Sequence, residues 1–260
     1  MQLLSRAGGL WYNSGMKKTA SIFLLVVAVL AGGCSRRDDA AVKMITEANF
    51  PPYEFMRDGE VVGIDVEICR AVAQKMGKDF VCETVDFDSV LPAIASGRAN
   101  LAAAGIAITE DRKKNVEFSD PYVKTGIVVV YRKSDGFAGP GALKGRKIGV
   151  QSGTTSEVYV LERLGQEPER SRSPADSVAL LKAGRVDFVI ADLAPATVCV
   201  QGDPELAISD FVESEEYAVA IRKGQPELLK AINETIAEIK ADGRLAKWTA
   251  EYTAAAESLK

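Results

Sequence analysis

GIAITEDRKKNVEFSDPY, residues 105–122, is the stretch from which the fold is best read. It follows the short apolar run LAAA, residues 101–104, which has the length and character of a buried strand. Gly105 has no Cβ, so the backbone there approaches another group closely. Thr109 ahead of Glu110 and Asp111 predicts a helix start, with a hydroxyl cap and acids in the first turn. Arg112 then falls in that turn, beside backbone N–H groups that have no partner within a helix. A guanidinium fork next to such amides makes a carboxylate receptor. By itself the stretch accommodates a solvated surface arginine equally well.

Outward from this stretch, strands alternate with helices. Strand 42–46 leads into EANFPPY, residues 47–53, where Pro51 and Pro52 bar a helix and set an extended loop. Ligands of open α/β sheets gather at such C-terminal strand ends. Helix 65–76 carries Val66, Cys69, Val72, Ala73 and Met76 at helical spacing, and strand 80–85 follows. Asp86-Phe87-Asp88 opens a second helix with Val90, Leu91 and Ile94 inward and Gly97 as its stop. On the other side lie strand 126–131, a glycine-rich loop at 136–145 and strand 147–150. QSGTTSE, residues 151–157, is then a strand–glycine–helix turn whose N–H groups suit an anion. Helix 173–183 has Pro174 in its first turn, and strand 186–190 ends next to Asp192. That position reads as a ligand contact, as the N-cap of segment 193–200, or as both. Strand 217–221 returns, and helices 226–240 and 243–252 close the chain, the first with Leu228, Leu229, Ile232, Ile236 and Ile239 on one face, the second with Leu245 and Trp248 inward.

Residues 105–122 resemble the "GMTIT-x-ER…V-x-FS-x-PY" segment of polar amino-acid binding proteins, the family 3 solute-binding components of bacterial ABC importers. The likeness runs from about Val42 to Tyr252. It implies a two-lobe α/β periplasmic-binding-protein fold (type II) with two hinge crossings, near residues 124–127 and 216–219. Lobe one would comprise residues 42–125 and 218–260, and lobe two residues 126–217. It further implies a free amino acid in the cleft, delivered to an ABC permease and ATPase, with no cofactor and no metal. Arg112, with backbone amides near Gly105 and at Thr155 and Ser156, would hold the α-carboxylate, and Asp192 the α-ammonium. Phe50 and Phe87 would sandwich the side chain, with Glu47 at its far end and Gln151 as a further contact; Phe50 also reads as a loop-anchoring core aromatic. Ala107 departs from the family's serine or threonine and Ala104 is likewise non-polar, which removes a hydroxyl contact. An acid beside an aromatic slot favours a cationic side chain, arginine above all, because a guanidinium stacks flat on aromatic rings. Glu47 turned to solvent, or bonded to a neutral amide, is the alternative. The same fold carries periplasmic cyclohexadienyl dehydratases, in which Glu47 or Asp192 would act as a general acid, and modules that present a ligand to a receptor.

Before this body, Met16-Lys17-Lys18, the apolar run 22–31 and Gly32-Gly33-Cys34 have the order of a secretory signal, so residues 1–33 are expected to be removed and residues 1–15 to be an over-called start. Cys34 after small residues resembles a lipobox, which implies a lipid anchor on Cys34, a tether over residues 34–41 and a periplasmic or cell-surface location; cleavage without lipidation is the alternative. Residues 1–33 hold three basic side chains, Arg6, Lys17 and Lys18, and no acids, leaving 29 basic against 36 acidic, a net of −7. That balance excludes a nucleic-acid binder, which needs a basic patch. Histidine is absent, so general-base histidine chemistry is excluded too. Cys69, Cys82 and Cys199 lack metal or redox spacing and are expected to be buried thiols. A monomer is expected.

Overall fold

The computed structural model of the protein describes residues 40–258, so the signal segment, Cys34 and residues 35–39 of the tether lie outside the described residues. Strand β1 (Ala41–Thr46) is the second strand of a five-stranded sheet and runs parallel to its neighbour on either side. Residues 49–62, expected as an extended loop, instead form a small antiparallel sheet of β2 (Asn49–Phe50), β3 (Glu54–Arg57) and β4 (Glu60–Val62). Its hairpin turns at Asp58-Gly59, both with positive φ, the dipeptide such a two-residue turn favours. Helix α1 (Ile64–Lys75) then buries Ile68, Cys69 and Val72, and β5 (Asp79–Thr84) forms the edge beside β1. Helix α2 (Phe87–Ala95) ends before Gly97, φ +79, and β6 (Leu101–Ala102) pairs with β1 on its other side. The predicted helix start is α3 (Glu110–Lys113), where the Thr109 hydroxyl accepts from the Arg112 N–H at 3.1 Å.

After β7 (Glu117–Phe118) the chain passes into β8 (Val123–Arg132), the backbone of a second, six-stranded sheet. Strand β8 runs unbroken through residues 124–127, the segment expected as the first crossing. It is followed by β9 (Ile148–Gln151), α4 (Thr155–Val158), which continues into a π-turn at Tyr159–Arg163, and β10 (Glu169–Ser171). Next come α5 (Pro174–Lys182), capped by the Ser173 hydroxyl, then β11 (Phe188–Asp192), α6 (Leu193–Val200) and β12 (Leu206–Ile208). The expected strand 217–221 is two strands, β13 (Glu213–Tyr217) and β14 (Ala220–Ile221), one in each sheet. The break at residues 218–219 arises because their backbone groups bond elsewhere: Ala218 N–H donates to Ile106 O and Val219 O accepts from Ser119 N–H. Strand β13 lies antiparallel to the first half of β8, from Val123↔Tyr217 to Ile127↔Glu213. Helices α7 (Pro226–Ala241) and α8 (Arg244–Glu257) complete the fold, the latter ending five residues beyond the expected Tyr252.

Both sheets are covered on both faces, which is why their strands read as unbroken apolar runs such as Ile127–Val130. In the first sheet, Met44 packs with α1, α7 and Tyr252 of α8, while its neighbour Ile45 packs with Val90 and Ile94 of α2. In the second, Val128 and Val130 meet α5 and α6, and Ile127 and Val129 meet Leu143 and Val160. Of the three free thiols only Cys69 is fully buried; Cys82, on edge strand β5, and Cys199, on α6, are half-buried. Burial nonetheless pushes both of these up to about 11, which keeps them as unreactive thiols. Among the described residues no helix is long and apolar enough to cross a membrane.

Candidate functional site

Four strand ends converge on one cleft. Glu47 follows β1, Gly105 follows β6, Gln151 ends β9 and Asp192 ends β11. Glu47 is only 2 % exposed; its Oε2 accepts from Gln151 Nε2 at 2.9 Å, a bond between the two lobes, and its Oε1 has no donor. Burial pushes Glu47 up to about 8, held back by the Gln151 bond and raised further by Asp192 and Asp86 nearby. Gln151 also donates to Arg172 O at 2.9 Å and keeps its own Oε1 buried without a donor.

Arg112 forms the second bridge between lobes. Its guanidinium donates to Ala107 O at 2.8 Å and to Gly153 O at 3.1 Å, and it lies 5.7 Å from the Phe87 ring centroid. The cation over Phe87 is therefore the chain's own. Beneath this bridge, Thr154 caps α4 by accepting from Glu157 N–H, and Gly153 N–H is taken by the Glu157 carboxylate at 2.7 Å. Ser156, in the first turn of α4, is buried with an unpartnered hydroxyl, and Thr155 sits half-buried beside Glu215. Asp192 is buried and accepts a hydrogen bond from the Tyr217 hydroxyl; it does not cap α6. Burial raises its carboxyl, while Tyr217, Glu215 and Arg112 restrain the rise.

The Gly105 amide departs from expectation. Its N–H donates to Asp65 Oδ2 at 2.9 Å, so it does not join a carboxylate seat. The glycine is required for packing: φ is +55°, and a Cβ would overlap the Phe50 ring. Phe50 itself is 2 % exposed and packs against Tyr53 and Tyr217, with ring centroids 6.0 and 6.3 Å away. Phe87 belongs to the separate cluster around Val90 and Ile94. Ala104 and Ala107 are both buried, and Ala107 bridges to Tyr217 by backbone pairing.

Sequence reasoning missed the layer beneath. Asp65, expected only as the first residue of helix 65–76, is fully buried; burial pushes it up to about 6, with Gly105 N–H, Tyr122 and Glu54 beside it limiting the rise. Glu54, also fully buried, lies well above the carboxylate range because of burial and the neighbouring Asp65, and neither of its oxygens has a hydrogen-bond partner. Tyr217 and Glu215 were missed as well. Strand alternation was the available signal for Glu215, since residues two apart share a face.

Residues 42–255 match the family described as bacterial extracellular solute-binding proteins, family 3. The chain is 30 % identical to the ABC transporter arginine-binding protein 1 of Escherichia coli K12, over 86 % of this chain and 96 % of that one. It is 31 % identical to the L-cystine-binding protein of the same strain, over 76 % of this chain and 77 % of that one. It superposes with a TM-score of 0.78 and 30 % identity on an amino acid ABC transporter substrate-binding protein from Streptococcus pneumoniae bound to L-arginine, covering 85 % of this chain and 98 % of that one. The two-lobe fold, the strand-end cleft and the match along nearly the whole described chain lead to one conclusion: the chain belongs to the bacterial extracellular solute-binding proteins of family 3.

Proposed function

We propose that the protein captures a free amino acid between its lobes and hands it to the permease and ATPase of an ABC importer, with a cationic amino acid, arginine first, as the preferred cargo. The observation that carries the preference is the Glu47–Gln151 pair, which joins the lobes and keeps two buried acceptor oxygens without donors. Buried acceptors left unpaired are costly, and a guanidinium supplies a fork of donors that matches them. Arg112 and Thr155, with Ser156 beside them, take the α-carboxylate and Asp192 the α-ammonium, while Phe50 and Phe87 flank the side chain. The relatives named for arginine and for cystine support an amino-acid cargo and leave the choice among them to the site. A thermal-shift screen of the twenty amino acids, followed by competition among arginine, lysine, glutamine and cystine, tests this. Arginine is expected to win in the wild type, and its lead to fall about tenfold or more in Glu47→Gln, the scale of a lost charge-assisted bond. A wild type that prefers glutamine or an apolar amino acid overturns the preference.

The same reading places the protein outside the cytoplasm, tethered through a lipid on Cys34 after removal of residues 1–33. The order of basic, apolar and small residues before Cys34 supports it. Cys34→Ala is expected to release the exported protein from the membrane fraction, and a wild type that fractionates as wholly soluble refutes the anchor.

A further inference from the structure

Strand β13 connects the lobes and carries three carboxyls that the resemblance does not use, of which Glu215 alone keeps a buried oxygen without a donor. Residues two apart on a strand share a face, so Glu215 lies on the side of Tyr217. Its carboxyl faces Asp192 from the end of β11, the Thr155 hydroxyl from α4 and the Arg112 guanidinium from α3, with Tyr217 on its own strand. Its Oε2 is buried and has no donor. Asp192 Oδ1 is already occupied by the Tyr217 hydroxyl, which leaves Asp192 one oxygen for any further donor. An ammonium carries three donors.

We propose that Glu215 is a further residue of the amino-acid seat, forming with Asp192 a two-carboxyl receptor for the ligand's α-ammonium that sheds the proton it holds when the ammonium docks. This rests on the reading of the cleft as an amino-acid site. Two carboxyl groups facing each other with one cation beside them do not both stay ionised, and one proton is kept between them. Glu215 is its holder: burial first and then Asp192 raise it, whereas Asp192 is restrained by the Tyr217 hydroxyl that donates to its Oδ1. The ligand enters and leaves with its own three ammonium protons. The proton that departs is the carboxyl proton of Glu215, which passes to the buffer and leaves a carboxylate to pair with the ammonium. Glu47, facing Gln151, Asp192 and Asp86, sheds its own proton only to a side-chain cation.

The test is calorimetry with L-arginine at pH 6.5, in two buffers of different ionisation enthalpy, together with the dissociation constant from pH 6 to 8. The wild type is expected to release about two protons per arginine and Glu215→Gln about one, with the pH slope of log Kd shallower by about one. At pH 8.5, where the proton costs least, Glu215→Gln binds about tenfold more weakly. Equal proton release and affinity within threefold in wild type and Glu215→Gln overturn the role of Glu215 while leaving the amino-acid site standing. A wild type that binds none of the twenty amino acids overturns both. Should Glu215→Gln prove unfolded by circular dichroism, the wild type decides alone with L-glutamine, which has no side-chain cation and leaves Glu47 its proton: release of about one proton is expected, and release of none refutes the two-carboxyl seat.

Discussion

Arg112→Ala and Asp192→Ala each lose amino-acid binding by roughly thirtyfold to several thousandfold, the equivalent of about 2–5 kcal/mol for breaking one half of a buried, hydrogen-bonded charge pair. The two variants reach that loss differently. Arg112 also ties Ala107 O to Gly153 O across the cleft, so its removal takes away a lobe-to-lobe bridge as well as a ligand contact. Asp192→Ala instead strands the Tyr217 hydroxyl without an acceptor and relieves Glu215 of its neighbouring charge. Calorimetry with L-arginine, alongside circular dichroism to show the fold intact, measures both. Affinity within threefold of wild type in either variant removes that residue from the site.

Gly105→Ala destabilises the protein by about 3 kcal/mol, which lowers the melting temperature by roughly 6–12 °C. Part of this is the left-handed backbone, φ +55°, which costs an alanine about 1–2 kcal/mol. The rest is overlap with the Phe50 ring, which is held on its far side by Tyr53 and Tyr217 and has nowhere to retreat. Gly136→Ala separates the two contributions, since Gly136 has φ +66° but only open space within 4 Å of where a Cβ would sit. Thermal melts of both variants are the measurement. If Gly105→Ala is no worse than Gly136→Ala, the Phe50 contact contributes nothing.

What was legible from the chain was whatever its own neighbours determine. Helices α1, α2 and α7 announce themselves through apolar spacing and α5 through the proline of its first turn, and Thr109 caps α3 because its hydroxyl needs only an N–H three residues on. The convergence of Glu47, Gln151 and Asp192 was legible too, because each stands where a strand yields to a loop or helix. What they bond to was not. The Glu47–Gln151 bond spans 104 residues, and the Gly105–Asp65 bond spans 40; neither leaves a trace in local pattern. Sheet β2–β4 was hidden by Pro51 and Pro52, although Asp58-Gly59 marked its turn. Asp65 and Glu54 carry charge-bearing side chains, which read as solvated although the fold buries both completely.

The pairing of β8 with β13 has a mechanical consequence. The outgoing and returning connections between the lobes are hydrogen-bonded to each other residue by residue, from Val123↔Tyr217 to Ile127↔Glu213. They therefore flex as a single strap and not as two independent joints, leaving the cleft essentially one angular coordinate along which to swing. Gly126 lies on it, opposite Ser214, and a side chain at that position would press on the Glu213 carbonyl and the Phe211 ring. Bulk added there would stiffen the whole strap at once. Because Glu215 rides on the same strap, the coordinate that sets the opening angle also carries one of the carboxyls proposed to grip the cargo.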